Sequence, residues 1–245
     1  LSGVLSGSSE VTRVFGKTYY DTQLELFRYA DGQRLWGSGM FIVAGGESYY
    51  DALSVAPAAY ANAAPIFLVD GTRDFSAEQQ EMILGAVGRG YLDGDCLIVG
   101  GTSVVSERAE GFLSFASVLA TGSASACARL SGPSLFDTNV AVAEWMVSHA
   151  GMKWDGLAFA SASGPYDALS GAAVQGRRGS VLLLVGDALS PTISAAASHA
   201  GSMRGYSLFG GTGVIPESLR SYIAYSLQFG YALPMGPTRL PDRTY

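Results

Sequence analysis

Charge is scarce in this sequence. Asp, Glu, Lys and Arg make up 15% of its 245 residues, and the formal net charge is −6. Nucleic-acid binders normally present a basic face, so that class is excluded. Nor does the chain attract anionic polymers in general; binding one would need a local Arg/Lys patch or a bridging cation. Histidine occurs twice, as His149 and His199, and cysteine twice, as Cys96 and Cys127. With no CxxC and no spaced His/Cys cluster, a zinc centre is excluded. Both cysteines read as small buried hydrophobes, with a disulfide between them left open. No GxSxG elbow occurs and the histidines are not repeat equivalents, so nucleophilic catalysis gains no support. A complete GxGxxG and a P-loop lysine are also missing. No apolar run is long enough to span a bilayer, so membrane insertion is not expected. The chain begins at Leu1 without a signal peptide, which reads as an excised fragment and says nothing about secretion. Disorder is excluded by the 48% hydrophobic share.

What the sequence does contain is itself, twice. Arg13-Val14-Phe15-Gly16 with Asp21-Thr22 returns as Arg129-Leu130-Ser131-Gly132 with Asp137-Thr138, 116 residues on. Tyr50-Asp51-Ala52-Leu53-Ser54 returns at the same offset as Tyr166-Asp167-Ala168-Leu169-Ser170. Leu97-Ile98-Val99-Gly100-Gly101-Thr102 returns as Ser207-Leu208-Phe209-Gly210-Gly211-Thr212, 110 residues on, so about six residues are missing from a loop of the second copy. Duplication favours a module that binds or builds over a one-off catalytic pocket.

Each copy alternates short apolar runs with helical stretches. Residues 11–15, 40–44, 65–69 and 96–99 read as buried strands in the first copy, and 127–130, 156–160, 180–185 and 206–209 in the second. Helices are expected at 22–29, 51–63, 76–87 and 106–119, with a kink or restart at Pro57. Ser76 with Gln79 has capping-box spacing, and Ser190 precedes Pro191 at a first helical position. Alternation of this kind specifies an α/β fold of tandem repeats, each a short parallel sheet flanked by helices. Residues 1–10 read as the possible tail of a preceding repeat, 11–122 as the first repeat and 123–229 as the second. Residues 122–126 form a Gly/Ser/Ala linker and 230–245 an exit segment.

Taken together these blocks resemble the cell-wall-binding repeat 2 family of Gram-positive surface proteins. Residues 13–16, 20–22, 44–54, 65–68 and 99–105 match its motifs in order. The second copy matches more loosely, lacking the tyrosine before Asp137 and carrying Ser161-Ala162 for the double glycine. The resemblance implies Rossmann-like modules, usually three in tandem around a pseudo-threefold axis. It implies a non-catalytic, extracellular anchor that holds surface proteins to an anionic secondary wall polymer, without a cofactor. Two complete copies instead of three imply a further repeat upstream or closure by oligomerisation.

Candidate contacts for such a polymer are Arg13 and Arg129, which can grip phosphate or carboxylate bidentately. An ion pair between the repeats, with one of the aspartates, is an equal alternative for these arginines. The turns Gly100-Gly101-Thr102 and Gly210-Gly211-Thr212 could offer backbone amides to an anion, although tight turns alone explain them twice as readily. Asp51 and Asp167, like Asp21 and Asp137, are expected first as helix caps and only then as ligand contacts. Arg177-Arg178 reads as a solvated pair in a loop. The tyrosines Tyr19, Tyr20, Tyr49, Tyr50 and Tyr166 read as packing groups before sugar platforms. Two rival functions stand beside anchoring: a phosphate- or nucleotide-ligand domain or enzyme using the Gly210–Gly213 loop, and a self-assembling structural surface module.

Overall fold

The computed structural model describes residues 11–37, 39–87, 89, 95–123 and 127–230. The first and last segments assigned from sequence, 1–10 and most of 230–245, lie outside these residues, as does much of the linker. Helices and strands alternate as expected: α1 (Tyr19–Gly32), β1 (Met40–Gly45), α2 (Tyr50–Ala61), β2 (Ile66–Val69), α3 (Ala77–Val87), β3 (Asp95–Val99), α4 (Glu107–Thr121) and β4 (Ala128–Leu130). The second copy follows with α5 (Leu135–His149), β5 (Lys153–Ser161), α6 (Tyr166–Arg178), β6 (Ser180–Val185), α7 (Pro191–Ser198), β7 (Ser207–Phe209) and α8 (Glu217–Phe229). All pairings are parallel, in a four-stranded sheet ordered β2-β1-β3-β4 and a three-stranded one ordered β6-β5-β7. Strands β1 and β6 are buried along their whole length, as strands covered on both faces should be.

The strand β4 opens the second copy in sequence but completes the sheet of the first. It pairs with β3 in the register Leu97↔Ala128, Ile98↔Arg129, Val99↔Leu130. Its counterpart at 11–15 was expected to be a buried strand and is not one: it is mostly exposed and joins no sheet. The physical reason is pairing. A three-residue strand persists only beside an edge that satisfies its amides, and no described strand lies beside residues 11–15.

The cysteines also depart from expectation. Cys96 and Cys127 are not free small hydrophobes but a disulfide, with Cα atoms 4.5 Å apart. They sit one step before the first β3–β4 register pair, where adjacent parallel strands bring side chains together. The bond therefore ties the second copy to the first.

Packing joins the copies further. One core cluster draws Ile42, Val55 and Leu97 from the first copy and Met146, Phe159 and Leu183 from the second. Helix α2 lies against α5, α6 and β6, and it packs closely on Gly176, where a Cβ would lie 2.6 Å from the Pro57 carbonyl oxygen. This packing explains why Pro57 does not break the helix: α2 runs through it to Ala61, held by neighbours on both sides. The outer face of the first sheet has its own core around Phe27, Phe41, Phe67 and Ile98.

Candidate functional site

The repeated R-x-x-G and D-T motifs form one turn. Asp21 is the third residue of α1 and accepts from the Thr18 amide at 3.0 Å, while the Thr18 side chain accepts from Asp21. Ser134 and Asp137 make the same capping box on α5. Thr22 Oγ1 accepts from the Gly16 amide and Thr138 Oγ1 from the Gly132 amide, each at 3.0 Å. The glycines are obligatory, because a Cβ on Gly16 or Gly132 would fall 2.3 or 2.4 Å from the aspartate Cβ. Capping was the expected role of these aspartates, and reciprocal capping is the form it takes.

For Asp51 and Asp167 the capping expectation fails. Each is the second residue of its helix, and neither α2 nor α6 has a side-chain cap hydrogen bond. The carboxylates face the glycine turn of their own copy across the strand ends instead. A Cβ on Gly100 would meet Asp51 Oδ2 at 2.7 Å, and one on Gly210 would meet Asp167 Oδ2 at 2.9 Å. Both glycines hold positive φ, +111° and +125°. The Asp-Ala-Leu-Ser and Gly-Gly-Thr blocks, distant in sequence within each copy, thus meet at the carboxyl ends of the strands, the usual ligand position in an open α/β sheet. Asp51 is 8% exposed, and burial pushes its carboxyl up to about 6.

The two glycine turns are copies in detail. Val104 and Val105 amides donate to Gly101 O, and Val214 and Ile215 amides to Gly211 O. The amides of Thr102, Ser103, Thr212 and Gly213 make no hydrogen bond among the described residues, and all four residues are exposed. The Gly210–Gly213 loop therefore repeats the internal backbone hydrogen bonds of its counterpart with Ser103.

The arginines separate. Arg129 donates to Gly100 O and Val105 O, each at 3.0 Å, and to Glu110 at 2.8 Å, with its side chain 16% exposed. Of its two readings, the geometry shows the link between repeats, and the partner is a glutamate. Arg13 is exposed and pairs with no acid among the described residues. Arg177 and Arg178 are not in a loop; they form the last turn of α6, where cations complement the exposed carbonyl end. In the second copy the Gly210 and Ile215 carbonyls are bonded by Arg220, at 2.7 Å each.

Tyr20 donates to Glu47 and lies over Gly46, where any Cβ would strike its ring at 2.3 Å. Burial, with the Tyr19 and Glu47 hydrogen bonds, raises the Tyr20 hydroxyl well above the usual tyrosine range. The second copy has Phe136 at the position of Tyr20, resting against Gly186. Sequence gave no sign of a cleft of about 650 Å³ lined by Glu144, Lys153, Trp154, Asp155, His199 and Arg204. His199 stacks on Trp154 at 4.2 Å and meets Glu144 at 2.9 Å, while Arg204 pairs with Asp155. The stacked His199 ring covers one indole face, and Lys153 forms no ion pair among the described residues but lies close enough to act on the Asp155 carboxylate. No group of three or more His, Cys, Asp or Glu among the described residues could hold a metal ion, and no described helix is long and apolar enough to cross a membrane.

Comparison with known proteins gives this arrangement a context. The family model for cell wall binding domain 2 (CWB2) matches residues 13–110 and 129–220, a span that includes both aspartate–glycine contacts. Among solved structures, Cwp8 from Clostridium difficile superposes with a TM-score of 0.66 at 21% identity, over 89% of this chain and 34% of that one. Cwp6 from Clostridium difficile gives 0.69 at 17%, over 90% and 32%. The likeness is one of fold, and this chain spans about a third of the length of either protein. No curated protein sequence matches it.

Proposed function

This chain belongs to the cell wall binding domain 2 family, and on that premise we propose that it is a non-catalytic module anchoring a surface protein to the cell wall through an anionic secondary wall polymer. The observation that carries the reading is the repetition of one exposed glycine turn, with unbonded amides, in both copies. Two weak equivalent sites on one rigid body give avidity that neither has alone. Backbone amides of a glycine turn that make no internal bond can hold an anion, as in backbone nests. The contacts in this reading are the Gly100-Gly101-Thr102 and Gly210-Gly211-Thr212 backbones, with Arg13 as the available guanidinium. Arg129 supports them from behind by fixing the Gly100 carbonyl. An extracellular place at the cell surface suits the Cys96–Cys127 disulfide, since such bonds persist in oxidising compartments.

The test is co-sedimentation with purified Gram-positive walls, before and after chemical removal of their secondary polymers. Binding that disappears with the polymers, weakens with added salt and drops for Arg13→Ala supports the reading. Binding that survives polymer removal sinks it.

A further inference from the structure

A buried, unpaired carboxyl sits where the first sheet changes direction. In the order β2-β1-β3-β4, the chain leaves β1 toward β2 and leaves β3 toward β4. Helix α2, after β1, feeds the core shared by the two copies, and α4, after β3, feeds the core of the outer face. The loops that end β1 and β3 therefore part to opposite faces, and Asp51 and Gly100 meet between them.

Asp51 makes no hydrogen bond and no ion pair among the described residues, and burial alone raises its carboxyl. The residue is 8% exposed, yet its oxygens still reach solvent. The unpartnered polar atoms sealed from solvent, among the described residues, belong to Gln23, Trp154, Gln175 and Ser226. A desolvated carboxylate without a donor is costly, and none of the described residues supplies one.

The surroundings select the kind of donor. The Thr102 and Ser103 amides, just beyond Gly100, are unbonded among the described residues and belong to exposed residues. An ammonium would give up its hydration beside these positive groups. A phosphate has acceptors alone and would face a like charge. A sugar hydroxyl is uncharged and both donates and accepts, and a carboxylate has two oxygens for two such donors. Aromatic faces lie alongside. Tyr49, which precedes α2, and Tyr166, the first residue of α6, are within electrostatic reach of each other and are 37% and 79% exposed. Such rings are common in ligand sites.

We propose that Asp51 is the sugar-reading group of the first copy, accepting hydrogen bonds from an adjacent pair of hydroxyls on a sugar unit of the wall polymer. On the anchoring reading, on which this rests, the turn amides and Arg13 hold the anionic group and Asp51 holds the sugar beside it. The copies then differ in what they read, because Asp167 is only half-buried.

Two perturbations of the same contact provide the test. Asp51→Asn keeps the shape and replaces one acceptor with a donor. Periodate cleaves adjacent hydroxyl pairs on wall sugars and leaves phosphate and carboxylate groups in place. Co-sedimentation with untreated and periodate-treated walls reads affinity, and circular dichroism confirms that each variant is folded. Asp51→Asn should bind untreated walls about tenfold more weakly, the worth of a charge-assisted hydrogen bond. Periodate should weaken parent binding by as much and Asp51→Asn binding no further, since both remove one contact. Asp167→Asn should keep the periodate loss. Parent-like binding by Asp51→Asn overturns the proposal while anchoring stands. So does a parent indifferent to periodate, or a periodate loss that Asp51→Asn shows in full. A parent chain that binds no wall overturns the anchoring reading, and this proposal with it.

Discussion

The Asp51 carboxylate occupies the space that any side chain on Gly100 would need. Its Oδ2 lies 2.7 Å from the ideal Cβ position, and Gly100 holds φ at +111°. The same relationship binds Asp167 to Gly210. It explains both repeated motifs at once: the aspartate keeps its place because the glycine leaves room for it.

Gly100→Ala should therefore destabilise the chain by roughly 2–3 kcal/mol, combining left-handed strain with displacement of a buried carboxylate. Gly101→Ala is the matched control. Its Cβ would meet only Ser103 Oγ at 3.8 Å, and the expected change is within about 0.5 kcal/mol. Urea unfolding of the two variants checks the contrast, and equal losses would refute it.

Burial of Asp51 gives stability a defined pH dependence. Its carboxyl titrates at about 6 in the fold and near about 3.9 in the unfolded chain. The folded state holds the proton more tightly, so this contribution is fully present below about pH 4 and is lost as pH rises through about 6. The loss is at most about 3 kcal/mol. Asp51→Asn cannot ionise, and should be more stable than the parent at pH 8 by roughly 1–3 kcal/mol while gaining little at pH 4. A gain that is the same at both pH values would show that ionisation is not the cause.

Arg129 should behave as a structural residue. Arg129→Ala removes a guanidinium from two carbonyls and leaves Glu110 without its partner, at an expected loss of about 3 kcal/mol. Arg129→Lys should recover little of this, since a single ammonium cannot span the fork. Melting temperatures of the two variants decide it: a lysine variant as stable as the parent would mean that charge alone matters there.

Reducing the Cys96–Cys127 bond should lower stability by about 3–4 kcal/mol, the loop-closure value for a separation of 31 residues. Unfolding with and without reductant measures this, with the Cys96→Ser, Cys127→Ser chain as the control that should not respond to reductant.

Much of this architecture was legible in the sequence because its determinants are local. Strand and helix alternation marked β1 to β3 and β5 to β7, and Ser76 with Gln79 forms the expected reciprocal cap. Ser190 does precede α7, with Pro191 at the first position, but its hydroxyl accepts from the Gly186 and Asp187 amides and not from the helix. What escaped were facts that depend on a distant neighbour. Residues 11–15 and 128–130 share a motif, yet only the second has an edge to lie against. Asp51 has the spacing of a cap and becomes a buried carboxylate because Gly100 folds over it. Cys96 and Cys127 look unrelated until β3 and β4 are adjacent. The Trp154 cleft is assembled from α5, β5 and the segment after α7, and no local pattern marks such a meeting.

Helix α2 has a last consequence. Its apolar residues, with those of β1 and β3, enter a core that the second copy completes, and the disulfide fastens the same boundary. The unit that was duplicated is therefore not the unit that denatures. Although the first sheet keeps a further core on its outer face, loosening either half exposes the interior that the two copies share.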